Sequence, residues 1–207
     1  MSDRNIYLMD EVTATLAGAV ITTLLFLDQK SHEPIRLFVK TPGGDWRDAK
    51  RICDTILYNI KSPVITIAVC NVQSAGIAIL ASGDMRLTFN TTEFSNHEIY
   101  LSDVDSDLKK EELARLAKEM PRDVEEKSYY ETRRLRTHLV PCTLTPRMLR
   151  SKMAKIKGEE YEYKAPEAKR LGFVDAIITS VDSISRYERL LIQRLEKTRQ
   201  KRAGSSE

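Results

Sequence analysis

Hydrophobic and polar positions follow two rhythms along this chain. Three short apolar runs, "NIYLM" (5–9), "PIRLFVK" (34–40) and "PVITIAV" (63–69), have the length of strands, and the third is almost uninterrupted. Such a run suits a parallel strand covered on both faces. Between the runs the period lengthens. Leu16, Val20, Leu24 and Leu27 recur at helical spacing and predict a helix from about Thr13 to Asp28. Ile52, Ile56 and Leu57 predict a second, from about Trp46 to Ile60. A helix of small apolar residues follows Ser74, and "MRLTF" (85–89) and "EFSNHEIY" (93–100) read as two further strands. This alternation is the rhythm of crossover units in an α/β fold.

From about residue 105 the texture changes. Residues 105–140 are charged and helical in pattern, with sparse apolar positions. They predict an excursion from the core, either a packing surface for another subunit or a solvated, salt-bridged helix. "LTPRMLRSKM" (144–153) reads as a helix with Thr145 as its N-cap. "APEAKRLGFVDAII" (165–178) reads as a short helix stopped by Gly172, then a strand. The end starts as an amphipathic helix and decays into a basic tail. The expected organisation is one domain over 1–207: a core of about 4–104 and 144–182, a helical handle of about 105–140, and a C-terminal helix and tail of about 183–207.

Composition narrows the function classes. A net charge of +3 on 207 residues is too small to imply nucleic acid. "LAGAVITTLLFL" (16–27) is too short to span a bilayer and has no leader-like flanks, so a cytoplasmic protein is expected, away from membranes. Cys53, Cys70 and Cys142 lie far apart; Cys53 and Cys70 sit in apolar segments and are expected reduced and buried. His32, His97 and His138 are isolated, so neither a metal nor a cofactor is expected.

Three elements can carry chemistry. "TPGG" (41–44) can turn a backbone N–H outward, toward a carbonyl oxygen becoming an oxyanion; it can equally be a plain strand-to-helix turn. Ser74, followed by Ala75 and Gly76, can cap a helix or act as a nucleophile at its N-terminus, and the position suits both roles at once. A histidine is the usual base for a serine hydroxyl, so His97 is either that base or a packed or surface residue of the strand.

The order of these pieces resembles the Clp protease proteolytic subunit (ClpP) family of the crotonase-like superfamily. "RNIYLMDEV" resembles the family's opening strand. "AVITTLLFLDQKSHEPIRLFVKTPGGD" resembles its first helix, second strand and Ser-Pro-Gly-Gly turn, with Thr41 for the serine. "AKRICDTIL", "VCNVQSAGIAILASGDMR" and "APEAKRLGFVDAII" resemble later family segments, the middle one carrying the nucleophile. The resemblance implies an α/β crotonase-like spiral core with a helical handle. It also implies a serine endopeptidase acting on polypeptides in a homo-oligomeric ring. By position, Ser74 falls on the nucleophile, His97 on the general base and Glu160 on the acid, with Glu159 and Glu162 as competitors. The backbone N–H groups of Gly44 and Ala75 fall on the oxyanion donors.

Several departures accompany it. "EIYLSDVDSD" replaces the Gln-Pro and glycine-rich strand that follow the family's histidine. The interval from His97 to Glu160 is about a dozen residues longer, and little chain precedes the first strand for the family's axial segment. The double ring and the AAA+ unfoldase partnership therefore carry over less well than the fold and the Ser–His pair. A catalytically weak or inactive structural subunit of a mixed ring is the alternative; an acyl-CoA enzyme of the same superfamily is disfavoured by the Ser-x-Gly and His placement.

Overall fold

A computed structural model describes residues 3–97, 122–123, 125–127, 129–130 and 161–203. Strand β1 (Asn5–Leu8) leads into helix α1 (Ala14–Lys30), and β2 (Ile35–Thr41) leads into α2 (Trp46–Asp54). Next come β3 (Val64–Gln73), α3 (Ala75–Ser82), β4 (Met85–Phe89) and β5 (Glu93–Asn96). The chain closes with β6 (Tyr161–Lys164), α4 (Ala165–Leu171), β7 (Ala176–Ile178) and α5 (Asp182–Ala203). The sheet order is β1-β2-β3-β4-β7, all parallel, while β5 pairs with β3 in parallel and with β6 in antiparallel.

The two faces of β3 explain its apolar run. Val64, Ala68 and Val72 pack on the side of α1, α2 and α3, whereas Ile65 and Ile67 pack on the side of α5. Each fully buried aliphatic side chain contributes about 1.5–3 kcal/mol, so covering both faces is the main force holding this strand central. Helix α1 starts where the Thr13 hydroxyl accepts from the Leu16 N–H, 3.3 Å. It buries Ala17, Val20, Leu24 and Leu27, with Leu16 only partly covered. At its far end the buried Arg4 guanidinium donates to the carbonyls of Leu27 (2.9 Å) and Ser31 (3.1 Å), a favourable place for a cation.

Helix α2 ends earlier than its apolar spacing predicts: residues 55–59 widen into a π-turn, and the Thr55 hydroxyl bonds back to the Arg51 carbonyl at 2.8 Å. Gly172 ends α4 with a left-handed φ of +83°. There the buried Arg86 side chain grips Asp175 on two oxygens (3.2 and 2.9 Å) and the Gly172 carbonyl at 2.7 Å, locking β4 to the start of β7. Strand β6 is an element that the sequence pattern did not single out; Tyr163 anchors it by stacking on Phe94 (5.5 Å) and Phe173 (5.9 Å). Helix α5 begins at Asp182, ahead of the amphipathic pattern of the tail. The predicted 144–153 helix, Cys142, and most of the 105–140 excursion lie outside the described residues; 122–123, 125–127 and 129–130 are helical.

Cys70 corrects an expectation. It is exposed rather than buried, with φ +56°. Two steps along β2, from Val39 to Thr41, match four along β3, from Ala68 to Val72. This irregularity turns the Cys70 side chain outward. It also marks where β3 leaves β4, its partner from Ile65 to Ala68, and takes up β5, its partner from Asn71 to Gln73.

Candidate active site

The change of partner at Cys70 brings the exit of β3, where Ser74 stands, alongside β5, which His97 follows. Ser74 stands between the last residue of β3 and the first of α3, with φ +50° and ψ −121°. An L-residue holds such a conformation only when its surroundings impose it, at a cost of about 1–3 kcal/mol. Strand-to-helix turns of this kind push a hydroxyl into the open in α/β-hydrolases. Here the Ser74 N–H donates to the Ser95 carbonyl (2.9 Å), and the Ser74 carbonyl accepts from the Ile77 N–H (3.1 Å). The side chain makes no capping hydrogen bond. The capping role read from the sequence is therefore corrected: the hydroxyl makes no bond to the helix, and the backbone carbonyl supplies the first-turn bond.

The glycine turn abuts this serine. A Cβ on Gly43 would lie 2.7 Å from Ser74 Cβ and 3.2 Å from its Oγ, and Gly43 has φ +107°. The Thr41 hydroxyl and the Gly43 backbone lie 3.1 Å apart at both the N–H and the carbonyl, which pins the turn. Val12 holds its other side, donating to the Gly43 carbonyl (2.7 Å) and accepting from the Asp45 N–H (2.9 Å). Because Val12 bonds the residues flanking Gly44, the N–H of Gly44 itself points away from Val12. Ala75 is the first residue of α3, where a helix leaves its N–H without an intrahelical acceptor. Gly76 brings the two elements together: a Cβ there would meet the Thr41 methyl at 2.4 Å.

His97 is half-buried and directly follows β5. The pairs Gln73↔Ser95 and Asn96↔Tyr161 put it beside the register position of Ser74 and at the start of β6. Glu159 and Glu160 lie outside the described residues. Glu162 is exposed and pairs with Ser95, and it lines a 260 Å³ groove with Gln73, Glu93 and Phe94. In the neighbouring pair, burial and then the Glu167 carboxylate it donates to (2.9 Å) hold the Tyr161 phenol above its ordinary pKa.

The contacts missed from the sequence come from residues 126–130. Lys127 Nζ donates to the His97 carbonyl at 2.7 Å. Tyr130 donates to Asp54 and meets Trp46 edge-on at 5.8 Å; burial, and then Asp54, push its phenol pKa upward. Charge patterning alone places both residues on a solvated helix, so nothing in the sequence singles them out.

The sheet order and the serine turn define a crotonase-like α/β fold. The Clp protease family model matches residues 1–181, and the chain belongs to that family of peptidases. It is 27% identical over 192 residues to the ATP-dependent Clp protease proteolytic subunit 2 of Prochlorococcus marinus strain NATL2A, covering 86% of this chain and 84% of that one. A shorter match, 38% over 82 residues, joins it to proteolytic subunit 3 of Synechococcus sp. strain CC9605, covering 39% of this chain and 40% of that one. The solved structure of a mutant ClpP1 from Listeria monocytogenes superposes with a TM-score of 0.71 at 24% identity, over 87% of this chain and 94% of that one. Among the described residues no helix is long and apolar enough to cross a membrane.

Proposed function

We propose that this protein is a serine endopeptidase of the ClpP type that cleaves polypeptides within an oligomeric ring. The observation that carries the reading is Ser74, a non-glycine residue held at φ +50° against the Gly43 turn and tied through Ser95 to the strand that ends just before His97. In this mechanism His97 takes the Ser74 proton as Oγ bonds to the peptide carbonyl carbon. The N–H groups of Gly44 and Ala75 hold the oxyanion. His97 then protonates the leaving amine as the C–N bond breaks, and water hydrolyses the acyl-enzyme by the same proton relay. Glu160 orients the imidazole; its support is covalent, since it is the residue before Tyr161, whose partner Asn96 precedes His97. The name "proteolytic subunit" borne by the relatives supports the ring.

Fluorophosphonate labelling with mass mapping tests this reading. Labelling at Ser74 is expected, and Ser74→Ala and His97→Ala are each expected to slow peptide hydrolysis by roughly 10⁴-fold or more. A folded, assembled wild type that takes no label sinks the reading in favour of a structural subunit.

A further inference from the structure

His97 stands at a joint in the chain. The described ladder of β5 ends at the Asn96–Tyr161 pair, directly before His97. Lys127 reaches the His97 carbonyl from another part of the chain. The lysine is 4% exposed, and its Nζ lies 2.7 Å from that oxygen, thirty residues further along the chain. A lysine head group is rarely withdrawn from water without a polar task to perform there.

The same helical stretch is tied to the other half of the site. Glu126 lies 3.7 Å from Lys50 of α2, and Tyr130 packs on Trp46 and donates to Asp54 of α2. Helix α2 starts from Asp45, whose carboxylate accepts from the Asp48 N–H (3.0 Å), directly after Gly44. One short segment thus spans the helix that carries the glycine turn and the residue that carries the imidazole.

We propose that Lys127 is a positioning residue: its bond to the His97 carbonyl fixes the backbone from which the imidazole projects toward Ser74. This rests on the serine-peptidase reading for its effect on rate, while the contact itself does not depend on it. An imidazole displaced by about 1 Å can lose on the order of 100-fold in rate, so one anchoring bond has a measurable consequence.

The test compares Lys127→Met, Lys127→Arg and, as a control that removes the α2 contact of the same segment, Lys50→Met, all in the full chain. Fluorophosphonate labelling rate, peptide-substrate kcat and KM, and the unfolding midpoint are measured together. Histidine carrying ¹³C at Cε1 gives a resonance for His97, assigned with His97→Gln, and His32 serves as an internal reference. Expected for Lys127→Met is labelling slowed about 10-fold or more, with kcat lowered and KM little changed. Its unfolding midpoint should match that of Lys50→Met, and the His97 resonance should shift while His32 stays. Lys127→Arg should restore most of the rate. Wild-type labelling by a folded Lys127→Met overturns the proposal, as does a loss that tracks the unfolding midpoint and is not rescued by arginine. If the wild type itself takes no label, the peptidase reading fails and the resonance decides: a shifted His97 signal in Lys127→Met sustains the positioning contact, and an unmoved one overturns it.

Discussion

Along β3 and its exit, two residues have left-handed backbone, Cys70 at φ +56° and Ser74 at φ +50°, four positions apart. Both are conformations that side chains resist, and the chain uses them differently. At Cys70 the strand changes partner from β4 to β5 and the side chain faces solvent. At Ser74 the chain changes from strand to helix, with the Ser95 carbonyl, the Gly43 turn and the first turn of α3 closing in on it. The first distortion redirects the backbone and needs no particular side chain. The second presents a particular side chain and is imposed by its neighbours. Strain that steers can be relieved cheaply; strain that presents a reacting group cannot.

Three substitutions sharpen that contrast. Gly43→Ala is expected to act most strongly, because its Cβ would press on Ser74 Cβ at 2.7 Å and on the Gln73 carbonyl at 3.3 Å. Fluorophosphonate labelling should fall about 100-fold through misplacement of Oγ. Labelling at the wild-type rate would mean that the turn does not hold the serine.

Gly76→Ala comes next. Its methyl would meet the Thr41 methyl at 2.4 Å and Val72 Cγ1 at 3.3 Å, so a loss of about 1–3 kcal/mol in denaturant unfolding is expected. Adding Thr41→Ser removes the nearer obstacle and should restore most of that loss. An unrescued double variant would place the conflict elsewhere.

Cys70→Gly has the smallest effect and the opposite sign. Glycine escapes a left-handed penalty of about 1–2 kcal/mol but loses about 0.5–1 kcal/mol of chain entropy, leaving a gain of about 0.5–1 kcal/mol. The midpoint of unfolding should rise and labelling at Ser74 stay unchanged. A drop in labelling would show that the bulge also presents a side chain and would break the contrast.

Much of the frame was legible in the chain. The uninterrupted run at 63–69 foretold a strand covered on both faces, because burial on two sides leaves no polar position to alternate. Thr13 and Gly172 marked helix boundaries, since capping and left-handed termini are local preferences, while Ser74 marked one without capping it. The Pro-Gly-Gly turn and the Ser–His order were equally local, and the resemblance they supported led to the family. Strand β6 was harder to see. Four residues with two tyrosines carry little periodic signal, and its pairing with β5 joins segments more than sixty residues apart.

What the sequence by itself determined is therefore most elements of the core, their order and the residue types at the site, all governed by hydrophobic period, turn chemistry and backbone preference. Tertiary structure alone decided three things. It turned Cys70 outward at the point where β3 changes partner, set Ser74 against Gly43 with no side-chain bond to the helix, and carried Lys127 to the His97 carbonyl. The physical reason is common to all three. Each depends on which strand or helix lies alongside, and a side chain's exposure or partner is set by that neighbour rather than by the residues next to it in the chain.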